Sequence, residues 1–199
     1  SQDPKTAQIV EFGAVMTTFD GQDFDPVETF SWRFSVDGGI PADAAAVHGI
    51  TNADVEGLPH FTDVAAEVLT VFGEADYVLT YKGVDYDIPV LLRQLGGCTP
   101  PSVPFHIDVY GLHRSSAELF PDVSLRLARG AFTSSLTGAL AYWMDTALVG
   151  AHGAVADSLA TLDVFRSMVQ HQAFDPYMLD AVAALSVGPP PGYADRGRK

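Results

Sequence analysis

The chain of 199 residues carries 25 acidic against 11 basic side chains, a formal net charge of −14, and 47% of its residues are hydrophobic. That length and hydrophobic share suit one globular domain, while the charge excludes the broad basic surface that would hold duplex DNA by neutralising many phosphates. No apolar run approaches the ~20 residues needed to cross a bilayer, no basic and apolar leader pattern opens the chain, and the single cysteine, Cys98, leaves neither an internal disulfide nor a thiolate metal cluster.

A cytoplasmic location without membrane contact is therefore expected. An acidic protein can still act on a polyanion, because cations recruited by clustered carboxylates carry positive charge to a phosphate.

In chain order, Ile9 to Thr18 is β-rich, and after Asp20 and Gly21 the extended pattern resumes from Glu28 to Val36, which predicts an antiparallel pair. The nearly unbroken apolar run Ile9 to Val15, interrupted by Glu11, predicts a strand buried on both faces with a neighbour on each side. A helix is expected over Ala53 to Phe72, with Phe61, Val64, Val68 and Val71 at helical spacing, then a strand from Tyr77 to Tyr81. The following segment GVDYDIPVLLRQLG predicts a helix whose apolar face is Ile88, Leu91, Leu92 and Leu95. Phe105 to Tyr110 predicts a fourth strand, and the chain reads as helical with breaks to about Gln172. Strands first, then alternating helix and strand, give an α/β class with a mixed sheet flanked by helices. The domain is placed at residues 1–186, and the Pro- and Gly-rich residues 187–199 at a tail or linker.

Two acidic sites have matching surroundings. Asp85 to Leu92, DYDIPVLL, directly follows a strand, and a carboxylate at the carboxyl end of a strand in an α/β sheet lies where ligands usually bind. Gly150 to Phe165, GAHGAVADSLATLDVF, places a histidine five residues ahead of an aspartate. Five steps of about 100° carry His152 roughly 140° away from the face of Asp157, so the histidine is expected in the loop leading into the helix. Val155, Leu159, Leu162 and Val169 are expected to form that helix's packing stripe, flanked by the small residues Ala156 and Ala160 beside Asp157.

Taken in order with IVEFGAV and VHGIT, these segments resemble the DEDDh branch of the DnaQ-like 3′-to-5′ exonucleases, which share the ribonuclease H-like fold. The resemblance runs from about Asp3 to at least Arg166. It implies that Asp87, after Tyr86 at a helix start, and Asp157 are metal-binding and catalytic, with Asp85 a neighbour. It implies that His152 takes the proton of the attacking water, and that two divalent cations, Mg2+ or Mn2+, serve the hydrolysis. His48 and Ile50, within VHGIT, are expected to border the pocket of the terminal nucleotide, with Thr51 an alternative helix cap. Lys82 stands where the family often carries Asn. His106, Asp108 and His113 are expected to be structural or surface groups.

The implied activity is hydrolysis of phosphodiester bonds at single-stranded 3′ ends of DNA or RNA, with a polymerase or another replication or repair protein as a possible partner. The family's first motif, Asp-x-Glu on an opening strand, would lie ahead of Ser1. The expectation is thus that the chain is an excerpt of a longer polypeptide, whose preceding strand would pair with Ile9 to Val15, or else an inactive relative. An inactive exonuclease-like module that binds nucleic acid or a polymerase, and a plain α/β interaction domain, are the alternatives.

Overall fold

The computed structural model describes residues 3–20, 22–96, 105–119, 134–148, 153–171 and 173. His152 and the proposed tail at 187–199 lie outside them.

Strand β1, Glu11–Phe19, runs antiparallel to β2, Phe24–Arg33, in a register that opposes Glu11 to Arg33 and Phe19 to Phe24, with an irregularity at Met16/Thr17. Asp20 closes the turn: its carboxylate accepts the Gln22 and Asp23 N–H groups at 2.8 and 2.9 Å, as turn aspartates do. The second strand thus begins four residues earlier than its β-branched and aromatic run predicts. Strand β1 is half-buried along nearly its whole length, where burial on both faces was expected. Among the described residues it pairs with β2 alone, so its second edge is not enclosed in a ladder. Strands β3, Tyr77–Thr80, and β4, Phe105–Asp108, form a separate parallel ladder in which Thr80 faces Asp108. The mixed character of the β-structure is therefore divided between two ladders.

The helix expected over Ala53 to Phe72 is broken. Helix α1 spans Ala42–His48, α2 is the single turn Asn52–Val55, a short 3-10 turn covers Phe61–Asp63, and α3 spans Ala65–Gly73. Gly57 at φ +75° and the following Leu58-Pro59 end α2, because proline removes the donor and disfavours a helical residue before it. Phe61 and Val68 are still buried, against Phe34, Leu91 of α4, Asp87–Gln94, and Leu95 just after it. Leu92, placed on the apolar face by its spacing, is 54% exposed, and Val90 is buried instead.

Helix α5 spans Val109–Leu119, α6 Leu136–Met144 and α7 Ala154–Gln170. The main core gathers Ile107, Val109 and Leu112 with Leu140, Tyr142 and Trp143 of α6 and Leu162, Val164, Phe165 and Met168 of α7. The predicted stripe of α7 holds in part: Leu162 is buried and Val169 packs against the core, whereas Leu159 is 39% exposed and Thr161, Val164, Phe165 and Met168 widen the buried face. His113 is fully buried and its Nδ1 accepts the Trp143 indole N–H at 3.0 Å, which makes it a structural group of this core.

Helix α7 is tied to the hairpin at both ends. The Arg166 guanidinium forks onto the Asp23 carboxylate, and this bond holds Asp23 below its ordinary pKa. At the other end the Glu11 carboxylate accepts the Ala154 N–H at 2.8 Å and the Arg33 guanidinium N–H at 3.1 Å. The first orphan donor of the helix is thereby satisfied by a side chain from β1.

Candidate active site

Gly13 on β1 lets α7 approach. A Cβ there would stand 2.6 Å from the Ala154 carbonyl carbon and the Val155 nitrogen, backbone atoms that can yield only if the helix moves. Ser158 seals the contact by donating to the Gly13 carbonyl at 3.1 Å and the Ala154 carbonyl at 2.8 Å. This close approach sets the first turn of α7 and with it Asp157, which is half-buried and whose N–H donates to the Gly153 carbonyl at 2.9 Å.

Asp87 opens α4 after the loop that leaves β3. That loop is organised by Asp108, which is 4% exposed at the carboxyl end of β4. Its Oδ1 accepts the N–H groups of Lys82 at 3.0 Å, Tyr110 at 3.0 Å and Gly111 at 3.3 Å, and its Oδ2 accepts that of Val84 at 3.4 Å. One carboxylate thus fixes both the turn before Asp87 and the start of α5. Lys82 is held there at φ +61°, a left-handed conformation in which a residue with a Cβ is strained. Asp108 was expected to be structural or a surface group, and its burial, with four backbone donors among the described residues, makes it structural. The carboxyl-end rule that singled out the Asp85 to Leu92 segment applies equally to FHID and could have found it.

Asp87 and Asp157 come within electrostatic reach of each other. Asp87 keeps solvent access, but the protein packed around it raises its pKa, and the negative charges of Asp108 and then Asp157 raise it further. A folded-state pKa above the ordinary 3.8 means that the folded chain binds this proton more tightly than the unfolded chain, so stability is lost as pH rises through the raised value. In the metal-free protein, Asp87→Asn is therefore expected to raise the melting temperature at neutral pH, with the gain fading toward zero below pH 3.8. Melts in EDTA across pH check this, and a loss of stability at neutral pH contradicts it.

Among the described residues no group of three or more His, Cys, Asp and Glu side chains is arranged to hold a metal ion. The Asp87 and Asp157 pair nevertheless fits a hard divalent cation, since Mg2+ takes oxygen ligands and is commonly bound by one or two carboxylates together with substrate phosphates. Like charges that raise the pKa of Asp87 are what such a cation would offset. Asp85 is exposed, next to this pair.

The VHGIT segment packs into the smallest of the three apolar clusters found among the described residues. Ile50 is 2% exposed, in a cluster with Ile40 and Val55, and the half-exposed His48 accepts the Ile50 N–H through Nδ1 at 3.1 Å. Thr51 precedes α2, and its N–H and hydroxyl both donate to Asp54 Oδ2, at 2.7 and 2.6 Å.

The family model described as Exonuclease (RNase_T) matches residues 1–165. The chain belongs to the exonuclease family. Its fold is that of the family's solved members, the ribonuclease H-like α/β arrangement. E. coli Exonuclease I, in complex with a dT13 oligonucleotide, superposes with a TM-score of 0.73 at 18% identity over 91% of this chain and 40% of that one. Exonuclease X, in complex with 5′ overhanging duplex DNA, gives 0.61 at 18% identity over 89% and 92% of the two chains. The nuclease domain of 3′hExo, a DEDDh family member bound to rAMP, gives 0.56 at 14% identity over 83% and 94%. This exonuclease-family chain thus spans less than half the length of Exonuclease I and most of the length of the other two. No curated protein matches it by sequence. Among the described residues no helix is long and apolar enough to cross a membrane.

Proposed function

We propose that this domain is a 3′-to-5′ exonuclease that hydrolyses phosphodiester bonds at single-stranded 3′ ends of DNA or RNA in the cytoplasm, with two divalent cations, Mg2+ or Mn2+, held by Asp87 and Asp157. The observation that carries the reading is the placement of Asp87 at the start of α4 and Asp157 in the first turn of α7, close enough to feel each other's charge, in an exonuclease-family fold. When bound, the cations supply neutralisation of charge on the phosphate and activation of water. The protein's own part is to aim oxygen ligands: Gly13, Glu11 and Ser158 hold the turn with Asp157, and Asp108 holds the turn before Asp87.

His152, two residues before α7, takes the proton of the attacking water in this reading, and an ordinary pKa near 6.5 suits that task at neutral pH. His48 and Ile50 border the terminal nucleotide, Ile50 by packing its segment from within and His48 through its half-exposed ring. The oligonucleotide bound to Exonuclease I and the rAMP bound to 3′hExo support a single-stranded substrate and a mononucleotide product. A polymerase or another replication or repair protein is the partner this reading favours, and Exonuclease I is itself known in a complex with SSB-Ct.

His152→Ala is expected to lower kcat by ~10²- to 10⁴-fold with little change in Mn2+ affinity, and to remove the acidic limb of the pH profile. Turnover against pH and a metal titration on the same variant check this. A collapse of metal binding would make the histidine a ligand and overturn its role as base.

A further inference from the structure

Lys82 and Arg114 meet on one ring. The Lys82 ammonium lies 4.7 Å from the Tyr110 centroid and the Arg114 guanidinium carbon 6.0 Å from it, both within cation–π range. Tyr110 and Arg114 are four apart on α5 and so share a face. The Asp108 carboxylate accepts the backbone N–H of both Lys82 and Tyr110, so the group that borders Asp87 also fixes the two residues on which this cluster is built.

Three features point outward from the fold to a ligand. Among the described residues neither Lys82 nor Arg114 forms an ion pair, whereas Arg33 and Arg166 are each committed to carboxylates. Only 11 Lys and Arg stand against 25 acids in the chain, so two cations gathered on one tyrosine are a local exception to its negative charge. Lys82 also occupies a left-handed backbone position, where a non-glycine residue is strained and persists because its surroundings impose it.

Resting on the nuclease reading above, we infer that Lys82 and Arg114, oriented by Tyr110, form a subsite for a backbone phosphate of the bound single strand, away from the bond that is cut. A guanidinium and an ammonium together match the phosphate's acceptor oxygens, and the ring restricts two long side chains before the strand arrives.

The test is binding of a short fluorescent oligothymidylate to the full chain in EDTA, followed by anisotropy across a range of salt concentrations. Lys82→Gln with Arg114→Gln is expected to weaken binding by about five- to tenfold. It should also flatten the slope of log K against log salt by about 0.7 for each phosphate that is no longer neutralised. Glutamine keeps the Cβ and hence the backbone strain, so the comparison isolates charge. Lys82→Arg with Arg114→Lys should restore the slope, and Lys5→Gln, an exposed cation in the turn near the start of the chain, should leave both quantities unchanged. A wild-type slope in the double glutamine variant overturns the subsite, including where that variant's melting temperature alone has moved. A wild-type chain that fails to bind the oligonucleotide in EDTA and with Mg2+ overturns the nuclease reading as well.

Discussion

Alanine in place of Asp157 or Asp87 is expected to abolish cation-dependent release of 3′ nucleotides from the intact protein, with turnover lowered by at least ~10³-fold, while the fold persists. The separation of activity from stability follows from what each carboxylate does in the fold. Two backbone bonds hold Asp157 in the helix whatever its side chain: its N–H donates to the Gly153 carbonyl, and its carbonyl accepts the Thr161 hydroxyl at 2.8 Å. Removing its carboxylate sacrifices the favourable placement of a negative charge at a helix start, about 0.3–1 kcal/mol. Asp87 is raised in pKa by burial and like charge, so its removal relieves repulsion. Turnover, Mn2+ binding and melting temperature on both variants check this together. Near-normal turnover in either one would remove that residue from the metal assignment.

Gly13→Ala is expected to be damaging although it adds a single methyl to a β-strand. The new Cβ would sit 2.6 Å from two backbone atoms and 2.8 Å from the Ala154 Cβ, so the strand and the helix must part. Overpacking of this kind costs about 1–3 kcal/mol. The movement also falls on the turn that carries Asp157, and a shift of ~1 Å at a catalytic group can lower turnover by ~10²-fold. Glu11 and Ser158, which bond to Ala154 and Gly13, would lose their geometry in the same step. The measurement is melting temperature alongside kcat. A variant with wild-type values of both would show that α7 does not rest on β1 at this point.

Much of the fold was legible where local chemistry decides it. The β1/β2 pair followed from β-rich composition around an Asp-Gly turn, and α4 from an apolar face beginning after a strand. Periodicity failed where a tertiary neighbour decides burial. Leu92 and Leu159 have helical spacing but face solvent, because the partners of α4 and α7 lie on the adjoining faces that hold Val90 and Val164. The broken helix over residues 52–73 was announced by Gly57 and Pro59, a glycine and a proline that the longer apolar period concealed.

The acids Asp87 and Asp157 could be chosen because their motifs are local. The residues that hold them in place could not be chosen so readily. Glu11 caps a helix 143 positions away, and Gly13 matters through its close approach to that same helix, which no spacing along the chain encodes. Asp108 is intermediate, since a carboxylate at the end of a parallel strand can be read from sequence while its four donors cannot.

The most direct measurement is the product pattern from a 5′-labelled single-stranded oligonucleotide incubated with the intact protein and Mg2+. The account predicts a ladder shortened one nucleotide at a time from the 3′ end, with mononucleotides released, abolished by EDTA and by Asp157→Ala. An unshortened strand, internal cuts, or shortening that persists in EDTA would contradict it.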